Sequence, residues 1–373
     1  MNKPVIVVGA GGEMGRAIVY GLSKLNHPIY MVEPNSSSLL DAIAFFDCNQ
    51  IGIDGVAEDL EDLSEVKDAT VISAAPYWAN QDIAKNCIEL KRSYTDLGGN
   101  PVVDQEIEGY FNEGGFYNSE QSCFVSLGLA PGLVGLILEN GIQTVSDLSN
   151  AVIKLRVGGL PINPNNLLQY NQVFSLDGLY NEYVGQCDAI KDSKITKVTA
   201  LEDIEQIEFL CDVSTKNFCT VEYLEAFNTK GGVGGLLPSL MTRGVKECDY
   251  KTIRYGGHCK LIKFLLGDCK MDEDTFRRAV KNACPKTRKD KVLISASIVN
   301  KNGHWVRRVC VEHDDIFTAM QKTTGFTAAS VTSLIANKSL SSKKAVLGCG
   351  DIPMKLFFDN LDKIGGMNTK LMQ

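Results

Sequence analysis

The 373-residue chain has no C-x-x-C pair, no internal repeat and no low-complexity segment. It also has no apolar run near the roughly 20 residues of a membrane span. Each absence excludes something. Twelve cysteines are scattered singly, which argues against a thiolate metal cage and suits free thiols in a reducing compartment. Four dispersed histidines offer no second pair to complete the possible Cys310–His313 spacing, so no metal is expected. Basic residues are in deficit, 38 against 45 acidic, for a net charge of −7. That balance does not attract nucleic acid phosphates in bulk. The first apolar run is too short for a signal peptide, and a cytoplasmic, membrane-free protein is expected.

Glycine is abundant, with 34 residues, many in clusters. The most informative cluster follows Val5–Val8, a short β-branched run suited to a buried parallel strand. It reads Gly9-Ala10-Gly11-Gly12-Glu13-Met14-Gly15 and leads into a helical pattern. A strand, a glycine turn and a helix place free backbone N–H groups where a pyrophosphate can sit. Gly9 permits the tight turn, Gly11 or Gly12 the approach of phosphate, and Gly15 close helix packing. Glu13 and Met14 open the helix. The spacing is one residue longer than strict G-x-G-x-x-G, and the strand–turn–helix context compensates.

A second strand, Ile29–Val32, ends at Glu33. An acid there accepts the ribose hydroxyls and repels a 2′-phosphate, which favours NAD. Asn35 and Ser36–Ser38 keep NADP possible. Ala74-Ala75-Pro76 ends another strand, Thr70–Ser73, with small residues that leave room for the cofactor, and Tyr77 and Trp78 follow as pocket or packing aromatics. Alternating strands and helices to about residue 130 predict a doubly wound parallel sheet, an α/β Rossmann domain over 1–130. Longer strands follow, among them Gln206–Cys211, Val221–Asn228, Tyr250–Tyr255, Val292–Val299 and Trp305–Glu312. They predict an α+β domain with a mostly antiparallel sheet over 131–320. Lys286–Lys291 reads as a solvated loop, and 321–373 as a segment returning to the first domain.

Further motifs give the chain a family resemblance. Asp96-Leu97-Gly98-Gly99, Gly128-Leu129-Ala130-Pro131-Gly132 and Val157-Gly158-Gly159-Leu160-Pro161 follow the glycine turn in order. Phe174-Ser175-x-x-Gly178-Leu179, Glu225-Ala226-Phe227 and Thr252-Ile253-Arg254-Tyr255-x-Gly257-His258 continue it. This pattern resembles the saccharopine dehydrogenase family, closest to lysine ε-dehydrogenases and saccharopine-dehydrogenase-like proteins. The resemblance implies a homodimer that oxidises or reduces a C–N bond of a small-molecule amino acid. Saccharopine, lysine and carboxynorspermidine enzymes share these motifs, so the motifs do not choose the substrate.

Amine oxidation needs a neutral amine and therefore a general base. Asp96, at a strand's carboxyl end, is one candidate. His258, with its intrinsic pKa near neutrality, is another, and Tyr77 a third. Arg254 suits a substrate carboxylate, and Glu225 a distal ammonium. Asp96, Glu182 and Glu225 against Arg156 and Arg254 lean towards a basic amine substrate. The competing class is a non-enzymatic dinucleotide-binding redox regulator.

Overall fold

The computed structural model describes residues 2–113, 121–145, 147–209 and 222–372. Cys211, Cys219 and Val221 lie outside them. The ten described cysteines are free. By contact density the chain forms two compact units, one of residues 1–136 and 321–369, the other of 137–320 and 370–373.

The first unit holds six parallel strands: β1 (Val5–Val8), β2 (Ile29–Val32), β3 (Gly55–Ala57), β4 (Thr70–Ser73), β5 (Ser93–Asp96) and β6 (Cys123–Phe124). Their spatial order is β3-β2-β1-β4-β5-β6, so the order reverses between β1 and β4. The connecting helices are α1 (Glu13–Lys24), α2 (Ser36–Cys48), α3 (Asn80–Glu89) and α4 (Pro101–Glu113). Strand residues alternate between two covered faces. Ile6, Val8, Val71 and Tyr94 pack against Ala84 and Cys87 of α3 and Ile107 and Phe111 of α4. Burial on both faces explains why these strands read as unbroken apolar runs.

Helix α5 (Val134–Val145) leaves this unit, and the chain comes back to it through α10 (Ala319–Gln321), α11 (Thr327–Ala336) and α12 (Met354–Ile364). A π-helical turn, Lys322–Phe326, joins α10 to α11. Small residues let the returning helices approach α1 closely. A Cβ on Gly325 would stand 2.6 Å from that of Ala17, and one on Gly21 2.7 Å from that of Ala329. On the sheet, Thr95 Oγ1 and Thr332 Oγ1 are 2.9 Å apart. Every residue of α11 is buried, hydroxyls included.

The second unit is built on a mixed sheet of β7 (Val152–Pro161), β8 (Gln186–Lys191), β9 (Lys194–Thr199), β10 (Glu205–Phe209), β11 (Glu222–Asn228), β12 (Glu247–Tyr255), β13 (Asp290–Asn300) and β14 (Gly303–Glu312). The main path runs β10-β11-β12-β7-β13-β14, with the β8–β9 hairpin on β12. Among the described strands of this sheet, only β12 with β7 is a parallel pair. Helices α6 (Leu176–Tyr183), α7 (Leu236–Thr242), α8 (His258–Lys263) and α9 (Glu273–Ala283) complete the unit. The fold is thus a doubly wound Rossmann sheet plus an α+β unit with a largely antiparallel sheet.

The Lys286–Lys291 run is not all solvated loop. Asp290 and Lys291 begin β13 and are buried, and the Asp290 carboxylate accepts the amides of Ala319 (2.6 Å) and Met320 (3.0 Å). A charged run conceals such a residue because its partners are backbone groups distant in sequence. Among the described residues no helix is long and apolar enough to cross a membrane. Nor does any group of three or more His, Cys, Asp and Glu stand ready to hold a metal.

Candidate functional site

The glycine turn sits at the carboxyl edge of the first sheet, at the order reversal where open α/β sheets bind ligands. Gly9 has φ +75°, and its backbone lies directly on the next loop: a Cβ there would be 2.9 Å from Ala74 C and Ala75 N. Gly15 carries the tightest contact of the turn, since its Cβ would be 2.2 Å from Gly9 O. Gly12 caps α1 in extended conformation without a side chain. It is exposed, as is Glu13, and Met14 is half-buried. The first-turn amides of α1 therefore open towards solvent beside a residue without a Cβ, as a pyrophosphate requires. The cradle fits a dinucleotide.

Gly11 does different work from that expected of it. It is buried, its N–H donates to Glu33 Oε2 at 3.1 Å, and a Cβ would stand 2.7 Å from that oxygen. The other oxygen, Oε1, accepts the Asn35 amide at 3.1 Å. Glu33 is thus clamped at the end of β2 by the turn on one side and the start of α2 on the other. Each oxygen keeps a further lone pair for a ribose hydroxyl. The Asn35 side chain is already occupied: its Oδ1 caps α2 through Ser38 N and accepts Ser37 Oγ. Arg16 Nε donates to Gly11 O at 3.0 Å, and Gln321 Nε2 to Glu13 O at 3.1 Å, pinning the turn and the start of α1.

Ala74, Ala75 and Pro76 form the neighbouring rim, all at least partly exposed. Tyr77 and Trp78 begin a 3-10 turn. Tyr77 is half-buried against Gly99, whose Cβ would be 3.1 Å from that of Tyr77.

Asp96 lies beneath this rim and is fully buried. Four donors converge on it: Gly98 N (2.9 Å) and Ser126 N (2.8 Å) on Oδ1, Tyr94 OH (2.8 Å) and Asn80 Nδ2 (3.3 Å) on Oδ2. Burial and the nearby Asp104 carboxylate push its pKa up to about 7, against the pull of these donors. The carboxylate joins the loop after β5 to the loop after β6 and faces no open space. The sequence placed it at the correct edge and missed Asn80, Tyr94 and Ser126, whose sole signal was proximity to strand ends.

The remaining candidates belong to the second unit. His258 opens α8 and is 1% exposed. Its Nδ1 donates to Leu168 O at 2.7 Å, which leaves Nε2 to accept the Tyr183 hydroxyl at 2.9 Å. Arg254 Nε in turn donates to Tyr183 OH at 2.9 Å. The relay Arg254–Tyr183–His258–Leu168 is therefore fixed in direction. Burial, then the Arg254 charge, drive the His258 pKa down to about 3. Both ring nitrogens are engaged, and this geometry does not present an imidazole poised to exchange protons near neutrality.

Arg254 is 2% exposed; its remaining donors reach Glu182 Oε2 (3.1 Å) and Ile253 O (3.0 Å), and Tyr170 and Tyr183 flank the guanidinium. Burial raises the Glu182 pKa to about 7, although Arg254 opposes the shift. Glu225 accepts Gly257 N at 3.0 Å and Cys259 N at 2.6 Å, and so caps the start of α8. Gly257, at φ +91°, is the left-handed residue that this cap requires. Arg156 does not join this group. Its register partner on β12 is Lys251, an odd number of residues from Arg254, so the two arginines face opposite sides of the sheet. Arg156 pairs instead with Asp249, at 2.9 Å to each oxygen, and with Glu205.

The buried imidazole has a thermodynamic consequence. A histidine titrates near 6.5 in an unfolded chain and near 3 in this fold. Between those values only the unfolded chain holds the proton. The contribution is complete above pH 6.5 and is lost as pH falls, by up to about 1.4 kcal/mol per unit. His258→Gln should flatten the fall in stability below that pH, measured by urea unfolding of both proteins across the range. Parallel curves would mean that the ring takes up a proton in the fold.

Comparison with known proteins fits this geometry. Residues 5–122 match the saccharopine dehydrogenase NADP binding domain, and residues 128–366 the saccharopine dehydrogenase C-terminal domain. Among solved structures, saccharopine dehydrogenase (L-Glu forming) from Saccharomyces cerevisiae is similar at 16% identity. The match covers 97% of this chain and 96% of that one, with a TM-score of 0.69, a likeness of fold. Myo-inositol 2-dehydrogenase from Lactobacillus plantarum is more distant, at 9% identity over 98% and 95% of the two chains, with a TM-score of 0.44. With both halves of its length matched by the same family's models and a dinucleotide cradle in the first, the chain belongs to the saccharopine dehydrogenase family.

Proposed function

We propose that this protein is a NAD-preferring dehydrogenase acting at a C–N bond of a lysine-derived amino acid, by lysine ε-deamination or saccharopine-type chemistry. We take it to work in the cytoplasm as a homodimer, as the family resemblance implies. The observation that carries the reading is the switch-point rim. A glycine turn with exposed helix amides abuts Ala74–Ala75, and a clamped Glu33 ends the second strand. The family model for the first domain bears the NADP name, whereas Glu33 would meet a 2′-phosphate with like charge.

The roles divide as follows. Gly12 and the first amides of α1 hold the pyrophosphate, and Glu33 the adenosine ribose. Ala74, Ala75 and Pro76 leave room for the second ribose. When bound, the nicotinamide accepts a hydride from the carbon that carries the nitrogen. That carbon releases hydride only once the nitrogen has a lone pair to form the C=N bond. Tyr77, on the rim, is the group we assign to take the proton, acting as its phenolate. Asp96 is a positioning residue, because its donors tie the loops after β5 and β6 to Asn80, where α3 starts just beyond the rim. Arg254, His258 and Glu225 hold the second unit's fold at α8 and β12, and Glu182 is the acid that reaches solvent beside them. Lysine, saccharopine and carboxynorspermidine, each offered with NAD and NADP, test the reading by cofactor absorbance. Reduction with an amino acid of this class is expected. Tight cofactor binding without turnover on any of them would instead favour a redox regulator.

A further inference from the structure

Among the described residues of the first unit, the least buried aromatic stands beside the proposed cofactor site. Trp78 is 71% exposed, so its indole is open to a ligand at the site. Its place is determined by short links. Ala74 N bonds to Val8 O at 2.8 Å, Gly9 abuts Ala74–Ala75, and Pro76 leads directly into the turn that carries Tyr77 and Trp78. Tyr77, one residue away, is held against Gly99. Val102, at the start of α4 beyond that contact, is 63% exposed as well.

A dinucleotide laid across the order reversal has its adenosine half over β2, where Glu33 stands, and its nicotinamide half over β4. The loop after β4 is therefore the protein surface nearest the nicotinamide. We propose that Trp78 is a positioning residue which covers the nicotinamide end of the bound dinucleotide and holds the ring by stacking. This rests on the dinucleotide reading of the glycine turn and adds an aromatic contact to it. An indole suits a flat heteroaromatic ring, and stacking of this kind tolerates either oxidation state.

The test separates the two halves of the cofactor. The dissociation constants of NADH and of ADP-ribose, which lacks nicotinamide, are measured for the wild type, Trp78→Ala and Trp78→Phe by calorimetry. NADPH and its 2′-phosphorylated ADP-ribose counterpart form the parallel pair. Trp78→Ala should weaken the reduced dinucleotide about tenfold and leave the ADP-ribose unchanged, while Trp78→Phe keeps most of the affinity. The exposed side chain makes loss of folding unexpected, and thermal unfolding checks it. Unchanged NADH binding in Trp78→Ala, or equal weakening of both ligands, overturns the assignment while the dinucleotide site stands. A wild type that binds neither pair overturns the dinucleotide site and the assignment with it.

Discussion

Gly11→Val should lower the affinity for NADH and NADPH by at least about a hundredfold, roughly 2.7 kcal/mol. The new side chain would begin 2.7 Å from Glu33 Oε2. It would push the carboxylate off the Gly11 amide and away from the ribose position. The obstacle at Gly11 is the end of a side chain rather than backbone, and its φ lies outside the left-handed range, so the fold should survive. The neighbouring glycines differ. At Gly9 and Gly15 the added atom meets backbone, at 2.9 Å and 2.2 Å, and substitution there should cost stability along with binding. Fluorescence titration of each reduced cofactor, with urea unfolding as control, reads both effects. Undiminished affinity in a folded Gly11→Val protein would contradict this turn as the site.

Cofactor choice should follow Glu33. The wild type is expected to favour NAD over NADP by tenfold or more in kcat/KM. Hydrogen bonds to a charged acceptor contribute about 1.5–3 kcal/mol each, and a 2′-phosphate would add repulsion. At about 1.4 kcal/mol per factor of ten, tenfold is a cautious bound. Glu33→Ser should narrow the ratio. The clamp adds a second expectation: the same substitution frees the amides of Gly11 and Asn35, so kcat/KM with NAD itself should fall. A wild type that already prefers NADP, or a ratio that does not move, would show that Glu33 does not read the ribose.

The first unit was legible because its signals are local. Val5–Val8, Ile29–Val32 and Thr70–Ser73 are predicted to the residue, since strands buried on both faces are short apolar runs between glycines and small residues. Three-residue β3 has too little sequence to stand out, while the Val103, Ile107, Phe111 stripe of α4 was there and went unread. In the second unit the strand cores were visible but several ends fell short, β12 beginning at Glu247 rather than Tyr250, because cross-strand pairing extends into polar residues. In the returning segment α10 and α11 are joined by a π-helical turn at Lys322–Phe326, which the sequence does not announce.

Candidate site residues were harder to read. Residue type suggested chemistry for Asp96, His258, Arg254 and Glu225, yet each was found with its polar atoms engaged. The partners are backbone amides and tyrosines remote in sequence, such as Tyr183 for both Arg254 and His258. No spacing rule announces such a partner. Gly11 and Gly12 looked interchangeable for the same reason: only the position of Glu33 tells the buried one from the exposed one.

The most direct test of the proposed chemistry follows the hydride itself. Lysine and saccharopine are prepared with deuterium on the carbon beside the reacting nitrogen and incubated with the protein and the preferred oxidised cofactor. The reduced cofactor is then analysed by mass spectrometry and NMR. Oxidation at the C–N bond predicts that deuterium from one of these substrates appears at C4 of the nicotinamide ring. A protein that binds the cofactor tightly and transfers no deuterium from either would contradict it.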